Sequence, residues 1–341
     1  MGFFKSLLGF EETPEQKNEK DFQTLKVDGM KAMNIRQTDY AVACFQRALE
    51  IHEDAEIRSC LAKAYLNSGQ PLLAKDQLET LLSTQRENPD EWIAMAHVQY
   101  VLKEWVAMEE SAQKALALQA DNTEALWLLG TARKEQNNPI MAVASLTQLL
   151  CKEPDNLTAL RSRAEVFMSM GDWKNAEEDI DHYLEVTSGR EEILPPLSSG
   201  CCQAPIMESD DREDLQLMKA EVLANSGRSD EARERLQSIL ANNPFCRKGY
   251  LDLCQLLLTL QQPEEALKVM NEALESMPEF AEGFKMRGAV KLALGDKEGS
   301  MEDLKAAVAI APETLKSIDG TYDNINDVVE KNQQSINPFG I

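Results

Sequence analysis

The sequence predicts an all-α chain assembled as a solenoid of about eight helix-turn-helix units. Three observations carry that prediction. Leu and Ala outnumber Val and Ile, and only 16 of 341 residues are Gly, a balance that favours helix over sheet. A small residue recurs at Gly29, Ala62, Ala96, Gly130, Ala164, Ala220, Cys254 and Gly288. The step is 33 or 34 residues throughout, except between Ala164 and Ala220, where it is 56. Behind each of these anchors, at constant separation, come a second position that is small in all units but one and a third that is always apolar. The second runs Ala41, Ala74, Met108, Ala142, Ala176, Ala232, Ala266, Ser300; the third runs Phe45, Leu78, Ala112, Leu146, Ile180, Leu236, Met270, Leu304.

Residues 1–21 form an N-terminal amphipathic segment and linker. Phe3, Phe4, Leu7 and Leu8 make an apolar stripe at helical spacing, suited to docking on the first unit, a partner or a membrane surface. The stripe stops at Glu11 without a small-residue cleavage site, so it does not read as a secretory signal. Residues 22–190 hold units one to five. In each, two antiparallel helices cross closely at the small positions, because a larger side chain would overpack the contact. The apolar positions bury the seam. Gly69, Gly171, Gly227 and Gly295 fall at one point of the period, where the first helix must end in a left-handed cap. Pro154, Pro244, Pro278 and Pro312 fall at another, where the second helix stops.

Residues 191–212, EEILPPLSSGCCQAPIMESDDR, interrupt the period; their three prolines exclude a continuous helix, and they read as an inserted loop. Units six to eight occupy 213–314. Beyond them, 315–341 supply a capping helix, with Tyr322, Ile325, Val328 and Val329 as its apolar stripe, and a tail.

The step of 34 and its pattern of small, bulky and proline positions resemble the tetratricopeptide repeat. Trp92, Met95 and Ala96, and likewise Leu126, Leu129 and Gly130, match the family's first-helix pattern; Ala142, Leu146, Leu149 and Pro154 match its second. Met108 departs from the pattern in unit three, and Ala32 stands where the family prefers an aromatic, so distortion is expected in those units. The resemblance implies a right-handed superhelix whose first helices line a concave groove. It places Lys26, Lys63, Ile93, His97, Tyr100, Trp127, Thr131, Lys134, Arg161 and Glu165 facing inward. Of these, Ile93, His97, Tyr100 and Trp127 would make an apolar and aromatic patch flanked by Lys134 and Arg161, the residue types that anchor interfaces. The family's carboxylate clamp is not supported: Met30, Cys60, Asp90 and Ala94 stand where asparagine, lysine or arginine would be needed.

Composition narrows the function. The net charge of −23 opposes nucleic acid. Seven scattered cysteines are not a disulfide framework and fit a reducing, cytoplasmic setting. No phosphate-binding loop, dinucleotide fingerprint, nucleophile elbow or CxxC is present, and only three histidines occur. Nothing calls for a cofactor or a metal. The expectation is a non-catalytic scaffold that holds an extended peptide or helix of a partner protein in its groove. The alternative is a membrane-surface assembly factor anchored by the N-terminal stripe.

Overall fold

A computed structural model of the chain describes residues 13–84, 87–188 and 209–312. Among the described residues there are sixteen α-helices and no strand. They divide into two compact units, residues 1–170 and 171–341. The first contains α1 (Pro14–Asn34), α2 (Thr38–Ile51), α3 (Ala55–Asn67), α4 (Pro71–Thr84), α5 (Pro89–Val101), α6 (Trp105–Leu118), α7 (Thr123–Glu135), α8 (Pro139–Leu150) and α9 (Leu157–Ser169). The second contains α10 (Trp173–Ser188), α11 (Ser209–Asn225), α12 (Ser229–Asn242), α13 (Arg247–Thr259), α14 (Pro263–Ser276), α15 (Ala281–Ala293) and α16 (Lys297–Ile310). Within each unit every helix packs on the next in sequence.

Two boundaries differ from expectation. α1 begins at Pro14, not Phe22. The Thr13 side chain accepts a hydrogen bond from the Gln16 amide (3.3 Å), and the Gln16 side chain accepts one from the Thr13 amide (3.1 Å). This reciprocal cap, with Pro14 in the first turn, starts the helix within the stretch expected to be linker. α11 begins at Ser209, inside the expected insertion. The rest of that insertion, with Cys201 and Cys202, lies outside the described residues, as do the N-terminal stripe and the C-terminal cap and tail.

The periodic positions are the helix crossings. All eight anchors are buried, as are all eight residues at each of the two following positions. A Cβ added at Gly130 would come within 2.8 Å of Leu146 Cγ, and one at Gly29 within 2.5 Å of a Phe45 ring carbon. Unit three, where Met108 breaks the rule, is packed like the others. Met108 is fully buried, and Ala112 supplies the missing space where most units carry a large residue. The two positions exchange sizes, which conserves volume. Ala32 is likewise buried in a core with Phe22, Phe45 and Ile57.

Every first helix ends the same way. Arg36, Gly69, Lys103, Asn137, Gly171, Gly227, Gln261 and Gly295 all have φ between 58° and 86°. At Lys103 the amide bonds to the Tyr100 carbonyl and the Glu104 amide to that of Gln99 (3.0 and 2.8 Å), and at Gly295 the pattern repeats with Leu292 and Lys291. These are Schellman closures, which satisfy the last free carbonyls of the helix. The buried carboxylate of Asp303 is paired: it meets Arg287 at 2.6 Å and Lys291 at 2.9 Å.

Candidate functional site

Because the step is 34 residues, the same face of successive first helices recurs in register. Three positions on that face belong to Ile93, His97 and Tyr100 on α5, to Trp127, Thr131 and Lys134 on α7, and to Arg161, Glu165 and Met168 on α9. An open cavity of about 480 Å³ lies across α7 and its neighbours in the first unit. Tyr100, Trp105 and Trp127 wall it together with Lys134 and Arg161.

The aromatic side is compact. The Tyr100 ring stands 6.0 Å from Trp105, edge to face, and 5.9 Å from Trp127. Tyr100 is 40% exposed, so its ring forms a ledge open to solvent. Trp127 is half-buried, and its Nε1–H donates to Ser162 Oγ at 3.4 Å. His97 lies 6.4 Å from Trp127 and bonds through Nε2 to Glu124 Oε1 at 2.6 Å. That bond holds the Glu124 carboxyl below its ordinary range.

The opposite wall is charged. Lys134 Nζ sits 2.5 Å from Glu165 Oε2, and Arg161 Nε 3.4 Å from Glu165 Oε1. Lys103 and Glu135 complete the rim, so three cations meet two carboxylates in a chain of net charge −23. Thr131 lines the cavity, is 8% exposed, and its buried hydroxyl has no hydrogen-bond partner. A buried hydroxyl without a partner costs free energy, and a bound donor or acceptor would recover it.

The structure thus brings Tyr100, Trp127, Lys134 and Arg161 together, with His97 beside them. It does not do so for the other three expected site residues. Ile93 is 6% exposed and packs in the core with Ala96, Met108 and Leu128, so it offers a ligand almost no surface. Lys26, on α1, pairs with Glu56 at 2.5 Å, and Lys63 is exposed on α3; neither lines the cavity. Trp105 was not expected here. It opens the second helix of unit three, immediately after the Lys103–Glu104 turn, and that turn swings its ring onto Tyr100. The residual signal was an aromatic directly behind a helix-ending turn.

No reactive centre emerges elsewhere among the described residues. No group of three or more His, Cys, Asp or Glu side chains is placed to hold a metal ion. Burial pushes the Cys246 thiol up to about 11 and that of Cys254 to about 12, away from the reactive thiolate. Among the same residues no helix is long and apolar enough to cross a membrane.

Comparison with known proteins agrees with the fold. The tetratricopeptide-repeat family model matches residues 217–279. A crystal structure of a tetratricopeptide repeat protein from Parabacteroides merdae superposes with a TM-score of 0.58 at 17% identity, covering 83% of this chain and 98% of that one. PilF of Pseudomonas aeruginosa does so at 0.52 and 14%, covering 68% and 96%. At these identities the likeness concerns the fold alone. The TPR repeat-containing thioredoxin TDX of Arabidopsis thaliana is 31% identical over 115 residues, 33% of this chain and 30% of that protein. The chain spans less than a third of the length of the curated relatives it matches. Residues 217–279 thus match the tetratricopeptide repeat, and the chain has the fold of tetratricopeptide-repeat proteins.

Proposed function

We propose that the first unit binds a peptide segment of a partner protein in the cavity beside α7 and carries out no chemistry on it. The observation that carries this reading is the convergence of Tyr100, Trp105 and Trp127 with Lys103, Lys134 and Arg161 on one open cavity, which Thr131, with its unpartnered buried hydroxyl, also lines. Exposed aromatic ledges with flanking Arg are the usual anchors of an interface. The segment that fits carries an apolar or aromatic anchor for the rings and an acidic flank for the cations. A reducing, cytoplasmic setting suits the unpaired cysteines.

Peptide display against the purified chain tests the reading. Enriched sequences should pair a large apolar residue with Asp or Glu. Tyr100→Ala should cost about 2 kcal/mol or more of affinity for such a peptide, and Arg161→Ala should chiefly slow association and flatten its salt dependence. The double variant should keep its helical circular dichroism. Unchanged affinity in that folded double variant places the peptide elsewhere and ends this reading.

A further inference from the structure

A second cavity, of about 740 Å³, lies between α4, α5 and α6. It uses a different set of α5 residues from the site above: Trp92, Met95 and Gln99. Two other units show what the same positions can hold. Three residues beyond the anchor, units four and eight carry Arg133 and Lys291. These reach across the helix crossing to Ser145 (2.7 Å) and Asp303 (2.9 Å), and so fill it with satisfied polar contacts. In unit three the same two positions hold Gln99 and Ser111. Gln99 is 7% exposed, lines the cavity, and its buried Oε1 accepts no hydrogen bond. An interior amide in that state lowers stability, which points to an occupant that supplies the donor.

The walls say what kind of donor. Leu82 and Met95 are buried and apolar, fit for a hydrocarbon stem. Exposed Glu79 and Glu110 stand at the edge. The face of Trp92 attracts cations: Lys114, which also lines the cavity, holds its Nζ 4.4 Å from the ring centroid, and a guanidinium that stacks there displaces it. A neutral amide or alcohol would satisfy Gln99 but draw nothing from the carboxylates. A guanidinium satisfies both: its planar fork has five donors, it stacks on aromatic rings, and its stem is apolar. We infer that this cavity binds an arginine side chain presented by a partner protein. The chain's net charge of −23 favours the approach of such basic segments. The site is independent of the one proposed beside α7.

The test uses the full chain with isotope-labelled methionine methyl groups, the Met95 signal being assigned through Met95→Leu. Acetyl-Ala-Arg-Ala-amide at millimolar concentration should shift the Met95 methyl saturably, and acetyl-Ala-Gln-Ala-amide should not. Gln99→Leu should weaken the arginine peptide about 10-fold or more while raising the melting temperature of the free chain, because it removes an unsatisfied amide. Glu110→Gln, an exposed change, should also weaken binding and reduce its salt dependence, and it serves if Gln99→Leu fails to fold. Absence of a saturable Met95 shift, equal binding of the glutamine peptide, or full affinity in Gln99→Leu would each overturn the assignment.

Discussion

Glu91 shows how single residues set themselves against the fold. It is buried on α5, its Oε2 has no partner, and burial pushes its carboxyl above the ordinary range. Asp252 on α13 is only partly buried, but its Oδ2 is enclosed without a partner and burial raises its carboxyl likewise. A carboxyl raised in the folded chain contributes stability below its unfolded pKa. That contribution is lost as pH rises from the ordinary range through the raised value. At neutral pH both residues therefore weaken the fold. Glu91→Gln and Asp252→Asn should each raise the melting temperature at neutral pH and leave it nearly unchanged near pH ~4, within the ordinary carboxylate range. Thermal melts at the two pH values decide, and equal melting temperatures at neutral pH would mean that the ionised carboxylates are satisfied there. Neither residue was legible as strained from the sequence, because the cost depends on what surrounds the carboxyl. The aromatic patch was half legible. Tyr100 and Trp127 stand at the inward positions that the family resemblance implies. Ile93 shares their face, yet Trp92, Trp105 and Trp127 pack against the cluster that encloses it.

At the scale of the helix, register outweighs residue identity. Gly69, Gly171, Gly227 and Gly295 announce left-handed caps because glycine adopts positive φ without cost. Asn137, whose short amide tolerates the left-handed region, adopts φ of 58°; Arg36, Lys103 and Gln261 do so with no such announcement. Only their place in the period marks them, and the Schellman bonds offset the strain of a side chain there. Gln261→Gly should accordingly stabilise the chain by about 0.5–1 kcal/mol, and Gly295→Ala should destabilise it by about 1 kcal/mol. Urea denaturation reads both; a loss of stability in Gln261→Gly would show that its side chain holds the turn. The start of α1 was legible after all, in Thr13–Pro14–Glu15–Gln16, but the anchor pattern says nothing about how far a first helix extends towards its N-terminus. The cavity between α4, α5 and α6 was not legible. Two buried polar side chains, Gln99 and Ser111, line it, and spacing does not report what they enclose.

The whole molecule carries 58 acidic against 35 basic residues. Such an excess repels itself, and salt screens the repulsion within about 10 Å at 0.1 M. Melting temperature should rise with sodium chloride up to about that concentration. A flat or falling curve would mean that pairs such as Arg228–Glu177 and Lys75–Glu104 outweigh the general repulsion. Division of the chain was also only partly legible. The compact units part at Met170 and Gly171, inside the fifth repeat, where the period shows no interruption, and α10 packs on α11.

The exchange of sizes at Met108 and Ala112 has a genealogical consequence. Repeat arrays grow and reshuffle by crossing-over between their own copies. Most units here place a small residue at the first of these positions and a large one at the second, so a crossover between them is silent. In unit three the same event would pair Met108 with a second bulky residue, or leave Ala112 facing a vacancy. Both halves must be inherited together, which makes α6 a linked block within an otherwise interchangeable series.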